Sequence, residues 1–121
     1  LSLQYVANSR FGFRPASTAE AAARAVSGVA SHAPPSLDAV ACALGAHGTR
    51  IVIDATASEA VTARHAAWLA DGIHVVTACK LGQGTSLARW HEIREACVLG
   101  GTRYGDSATV GAGLPLLRSI R

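Results

Sequence analysis

Four short segments carry residue types that bind or polarise a ligand. Thr56-Ala57-Ser58 follows an apolar run and opens a helical pattern, where free backbone amides and the helix dipole favour an anion or the polar edge of a cofactor. Plain N-capping by Ser58 is the competing reading. Asn8-Ser9-Arg10 follows another strand pattern, and Arg10 there suits an adenosine 2′-phosphate, which an acidic residue would repel; a solvated surface arginine fits the same position. Thr77-Ala78-Cys79-Lys80 holds the only lysine among 11 basic residues, directly after a buried strand pattern, although an isolated lysine is commonly a solvent-facing one. Val110-Gly111-Ala112-Gly113-Leu114-Pro115 supplies glycines where a backbone must turn sharply or approach a ligand, and Pro115 suits the first turn of a helix.

Strands and helices must position these segments. Leu1 to Ala7 alternates apolar and polar residues before turning apolar, which predicts a strand ended by Asn8-Ser9-Arg10. From Phe11 to Pro35 the signal weakens to an alanine-rich surface helix, Ala19 to Val29, and a loop bounded by Gly28, Pro34 and Pro35. Ser36 caps a short helix through about His47, closed by Gly48. Arg50 to Ala55, with β-branched Ile51, Val52 and Ile53, suits a strand covered on both faces. Ser58 then caps a helix from Glu59 to Ala70 that Gly72 closes, and Ile73 to Thr77 is a second buried strand. A helix from Thr85 or Ser86 through about Leu99 places Leu87, Trp90, Ile93, Ala96 and Cys97 on one stripe. Gly100-Gly101 ends it, and Thr102 to Asp106 is a fourth strand. Trp68, Trp90 and Leu87 are expected in the core. His65, His74 and His91 are expected to be structural, because none sits beside a Ser or Cys in a nucleophile motif. Gly82-Gln83-Gly84 lacks the third glycine of a phosphate cradle and reads as loop.

Strands alternating with helices imply an α/β layer structure with a mainly parallel sheet. Ligands of such sheets lie beyond the carboxyl ends of the strands, where Asn8 to Arg10, Thr56 to Ser58, Thr77 to Lys80 and Ser107 to Gly113 all fall.

The run Tyr104-Gly105-Asp106-Ser107-Ala108-Thr109-Val110-Gly111-Ala112-Gly113-Leu114-Pro115 resembles the Ala-Thr-Val-Gly-Ala-Gly-Leu-Pro signature of homoserine dehydrogenases. Val6-Ala7-Asn8-Ser9-Arg10, Ile53-Asp54-Ala55-Thr56-Ala57-Ser58 and Gly72-Ile73-His74-Val75-Val76-Thr77-Ala78-Cys79-Lys80 precede it in the family's order. The likeness is weak from Phe11 to Gly48 and strong from Ile51 to Pro115. It implies a Rossmann-like α/β fold, a mainly parallel sheet with helices on both faces, in which residues 1–115 are a partial NAD(P)-binding domain and 116–121 begin the connection to a substrate domain. The first strand and its glycine turn are then expected before Leu1, and the substrate domain, with its catalytic aspartate and lysine, after Arg121.

The resemblance further implies an enzyme, alone or fused to an aspartokinase, that interconverts L-homoserine and L-aspartate 4-semialdehyde with NADP(H) or NAD(H) in threonine and methionine biosynthesis. Its cofactor contacts carry over to Ala7, Asn8, Ser9, Arg10, Thr56, Ala57, Ser58, Thr77 and Lys80. Lys80 is the catalytic carry-over, as an electrostatic or proton-relay group. The family's Thr-Pro-Asn-Lys-Lys segment appears here as Thr77-Ala78-Cys79-Lys80-Leu81, which keeps the threonine and the first lysine and changes the rest. The family's sodium ion is held by backbone carbonyls that match Val110, Ala112 and Leu114, but Ser107 stands where a carboxylate often does, with Asp106 one residue earlier. A homo-oligomer in the cytoplasm is expected of the parent. The piece alone is expected to be inactive and to bind NADPH weakly or not at all.

Composition bounds these readings. The chain has 121 residues, half of them hydrophobic and 16% charged, which suits one globular domain or part of one. No apolar run reaches about 18 residues, so no membrane span is expected. The net charge of +3 is scattered, without a basic cluster to track a phosphate backbone, so no nucleic-acid partner is expected. Cys42, Cys79 and Cys97 show neither a disulfide framework nor zinc spacing, which suits a reducing cytosol. Two alternatives stand beside the enzyme. A non-catalytic remnant or interaction module would pair its strand edges with another chain. Another α/β reductase, of aspartate or dihydrodipicolinate type, shares the fold but leaves Gly111 to Pro115 unexplained.

Overall fold

The computed structural model describes residues 2–10, 12–27, 35–82 and 85–106. Val110, Ala112, Leu114 and the helix expected after Pro115 lie outside them. The chain divides into two compact units, Leu1–Ala46 and His47–Arg121.

In the first unit β1 (Val6–Ala7) pairs antiparallel with β2 (Gly12–Phe13), Val6 opposite Phe13 and Ala7 opposite Gly12. The strand expected over Leu1 to Ala7 therefore shortens to two residues. Its partner β2 offers only two residues to pair with, while its end falls where expected, at an Asx turn in which Asn8 Oδ1 accepts the Arg10 N–H at 2.8 Å. α1 (Thr18–Ser27) starts from a capping arrangement in which Ser17 Oγ accepts the Glu20 N–H while Glu20 Oε2 accepts the Ala16 N–H. α2 (Leu37–Leu44) is capped by Ser36, whose Oγ accepts the Ala39 N–H at 3.2 Å. It stops at Leu44 rather than near His47, because Gly45 takes φ +69°, a conformation that other residues rarely adopt, and returns its N–H to Cys42 O.

The second unit holds β3 (Arg50–Asp54), α3 (Glu59–Thr62), α4 (His65–Ala70), β4 (Ile73–Thr77), α5 (Leu87–Gly100) and β5 (Tyr104–Gly105). Its strands form one parallel sheet in the order β3-β4-β5, with Asp54 beside Thr77 and Val76 beside Gly105. α4 packs on β4 and α5 packs on α4, around a core of Trp68, Leu69, Ile73, Val75, Ile93 and Ala96. This parallel α/β arrangement is the class expected from the alternation of elements, and it is consistent with the Rossmann-like fold that the resemblance implies.

Several expectations change in this unit: β5 is shorter than the expected Thr102 to Asp106, and Trp90, expected in the core, is only half-buried. The helix expected over Glu59 to Ala70 breaks at Ala63 and Arg64 into α3 and α4, where the Thr62 hydroxyl donates back to Ser58 O at 3.0 Å, a contact that bends helices. β3 was expected to be covered on both faces, but Ile51, Ile53 (75% exposed) and their neighbour Val76 (47%) share an open face among the described residues. A run of apolar residues records which surfaces gain from burial, not which receive a cover. Leu87, expected in the core, is 71% exposed because it occupies the first residue of α5, outside the stripe of Ile93 and Ala96.

Candidate functional site

β3 and β4 end side by side in Asp54 and Thr77, and the loops that follow carry Thr56 to Ser58 and Ala78 to Gly82. Asp54 joins them. This carboxylate is 2% exposed and fully engaged. Its Oδ1 accepts the Thr56 N–H at 2.8 Å and the Thr56 hydroxyl at 2.7 Å. Its Oδ2 lies 3.0 Å from His65 Nε2 and accepts the Thr77 hydroxyl at 3.4 Å. Burial of such a group is tolerable only with partners of this number and kind.

His65 is wholly buried, and its other nitrogen, Nδ1, lies 3.1 Å from the Tyr104 hydroxyl. Removal from water pushes its pKa below the ordinary histidine value, more strongly than Asp54 raises it. A neutral His65 must give its one N–H to the acceptor-only carboxylate, which leaves Nδ1 to accept from Tyr104. The phenol stays protonated to donate, since burial, then the charges of Asp106 and Asp54, push its pKa upward. The result is a buried chain, Tyr104 to His65 to Asp54, that ends on the Thr56 turn.

The sequence-predicted residues of this unit cluster at that edge. Thr56 turns both donors onto Asp54 while its Oγ1 accepts the Ser58 N–H at 3.2 Å, so toward a ligand it offers lone pairs and a carbonyl. Ser58 caps α3 through a 3.4 Å bond from the Val61 N–H. The capping reading of Ser58 is thus met, and α3, at four residues, supplies little of the dipole expected of a longer helix. Ala57 is exposed between them. Thr77 is buried, its Oγ1 donating to Asp54 and accepting the Cys79 N–H at 2.9 Å, so its hydroxyl orders the strand end. Lys80 is exposed and forms no ion pair among the described residues. Ala7, Asn8, Ser9 and Arg10 are exposed on the hairpin of the first unit.

Arg89 on α5 makes a second link. Its Nη1 donates to Leu81 O at 2.9 Å, one residue past Lys80, and to Glu59 Oε2 at 3.2 Å, while Nη2 pairs with Glu59 Oε1. The guanidinium holds the Glu59 carboxyl below its ordinary range. Asp54, His65, Tyr104 and Arg89 were not singled out from sequence as site residues. A lone aspartate closing an apolar strand is the signal that marks Asp54. His65 had none, because its partners lie 11 and 39 positions away. No group of three His, Cys, Asp or Glu side chains suited to a metal occurs among the described residues.

Residues 3–104 match the homoserine dehydrogenase NAD-binding domain family. A bifunctional aspartokinase/homoserine dehydrogenase 2 of Arabidopsis thaliana, chloroplastic by name, is 38% identical over 71 residues, 59% of this chain and 8% of that protein. A homoserine dehydrogenase of Emericella nidulans is 36% identical over 76 residues, 63% of this chain and 21% of its own length. The chain therefore spans only a small part of the curated relatives it matches. A crystal structure of a Candida auris protein of unknown function superimposes with a TM-score of 0.81 at 22% identity, covering 98% of this chain and 34% of that one, a likeness of fold. With the parallel sheet, the motif order and the family match in agreement, the chain belongs to the homoserine dehydrogenase NAD-binding domain family.

Proposed function

We propose that this chain is the cofactor-holding part of a longer oxidoreductase that interconverts L-homoserine and L-aspartate 4-semialdehyde. The observation that carries this reading is the placement of Lys80 directly beyond β4, in the loop that Asp54, Thr77 and Arg89 anchor beside the Thr56 turn. The nicotinamide supplies the hydride. Lys80 then acts at the edge where such sheets bind ligands, stabilising the oxygen of the reacting carbonyl or passing it a proton. Thr56, Ala57 and Ser58 would hold the nicotinamide side through carbonyls and lone pairs, and Thr77 orders the strand end that leads to Lys80.

Ala7, Asn8, Ser9 and Arg10 meet the adenosine end in this reading, and Arg10 favours NADP over NAD by pairing with the 2′-phosphate. Residues 1–115 belong to the cofactor domain and 116–121 begin the connection to the substrate domain. The carbonyls of Val110, Ala112 and Leu114 are the proposed sodium ligands. In the same reading the parent serves threonine and methionine biosynthesis and is a homo-oligomer. Three free cysteines suit a reducing compartment such as the cytoplasm.

Hydride transfer from NADPH to aspartate 4-semialdehyde, followed at the nicotinamide absorbance for the full-length protein containing this chain, tests the reading. Lys80→Ala is expected to lower kcat by about a hundredfold or more. A folded full-length protein without turnover sinks it. The non-catalytic interaction module would then stand, since Ile53 and Val76 leave an apolar sheet face open among the described residues.

A further inference from the structure

The Lys80 loop and the Thr56 turn are joined twice. On the surface, Arg89 bridges Glu59, which follows Ser58, to Leu81, which follows Lys80. Inside, Asp54 gathers Thr56 and Thr77, passes to His65, and ends at Tyr104. The Tyr104 hydroxyl also lies under Gly82, two residues past Lys80: a methyl group on Gly82 would overlap that hydroxyl, and would sit 3.4 Å from the ring carbon that bears it. The phenol oxygen thus touches the Lys80 loop on one side and His65 on the other.

We propose that Tyr104 and His65 are positioning residues that set the height and order of the Lys80 loop relative to the Thr56 turn. Three observations favour this over a role in packing alone. First, a hydrophobic side chain of similar volume would fill the space of His65 without the desolvation that a buried Asp-His pair costs. Second, the chain of hydrogen bonds runs between the two loops that carry the candidate site residues, rather than between elements remote from it. Third, its geometry is directional, because a neutral His65 bonded to Asp54 accepts only from Tyr104, which fixes the phenol hydroxyl beneath Gly82. Neither residue touches substrate; both act through the backbone of residues 78–82.

The inference rests on the functional reading above. Its test uses the full-length protein containing this chain and the variants Tyr104→Phe, Gly82→Ala and the two combined. Tyr104→Phe removes only one hydroxyl and keeps the ring, so its melting temperature is expected to move by only a few degrees while hydrogen exchange across residues 78–82 accelerates. Displacing a positioned group by about an ångström lowers rates steeply, so kcat is expected to fall about ten- to hundredfold with little change in cofactor KM. Gly82→Ala is expected to do the same by pushing the hydroxyl from the other side. The combined variant is expected to be no worse than Gly82→Ala alone, because the methyl then meets no hydroxyl. Unchanged exchange at 78–82 in Tyr104→Phe overturns the inference, as do losses that multiply in the combined variant. If the wild type turns over but Tyr104→Phe equals it, the inference falls and the functional reading survives. If the folded wild type has no turnover, both fall.

Discussion

The two units use the same polar chemistry at different depths. In the second, a carboxylate, an imidazole and a phenol are linked inside the fold, with Asp54 and His65 sealed from solvent. In the first, the corresponding links lie near the surface: Glu20 pairs with Arg24 at 2.8 Å, Arg24 stacks over Phe13, and the Tyr5 hydroxyl accepts the Ser36 N–H at 3.2 Å. Water competes for the surface links and screens them, whereas the buried ones have no alternative partner. Depth therefore decides which of these interactions the fold depends on, and in the second unit the deep ones lie next to the loops that carry Thr56 and Lys80.

Removing one member of the buried chain should give the largest effect. His65→Ala takes one of four hydrogen bonds from buried Asp54 and leaves a cavity where a wholly buried ring stood, and we expect a loss of about 3–5 kcal/mol, read from urea unfolding. A loss below about 1 kcal/mol would show that Asp54 reaches water or another donor. The second test is acidity. Because burial lowers the His65 pKa, the unfolded chain takes up a proton near the ordinary value of 6.5 and the folded one resists. Stability should then be fully present above that pH and decline as pH falls below it, toward the lower folded value. His65→Gln, which cannot titrate, should flatten the decline; an equal decline in both proteins would assign it to other groups.

Smaller effects are expected in the first unit. Ser36→Ala removes the cap of α2 and should cost about 1 kcal/mol. Arg24→Gln removes an exposed ion pair and a cation–π contact and should cost under about 1 kcal/mol, with the ion-pair share fading in high salt. If Arg24→Gln matched His65→Ala in size, the contrast between the units would be gone. Measuring all four variants by the same unfolding assay ranks them directly.

Legibility from sequence followed the range of the interactions. β4 and the N-cap and glycine ends of α5 were readable because strand and cap signals are local, a few residues long. In the first unit the two helices, the Ser36 cap and the turn at Asn8 were legible, but the hairpin strands were not, because a two-residue strand has almost no periodicity. Thr56, Ser58 and Lys80 follow strands and Thr77 ends one, as the sequence pattern predicts, but what each side chain does was not legible. Thr56 spends its donors on Asp54, and the Thr77 hydroxyl faces inward.

By itself the sequence determined the alternation of strands and helices, the parallel sheet that follows from it, and the loops in which ligand-binding residues must fall, since each depends on patterns within one element. Only the tertiary structure decided that Asp54, His65 and Tyr104 form one chain beneath the two loops, that Arg89 ties those loops from above, and that one face of the sheet stays open among the described residues. These contacts join positions up to 39 residues apart, and no local pattern encodes a partner that only folding brings to hydrogen-bonding distance.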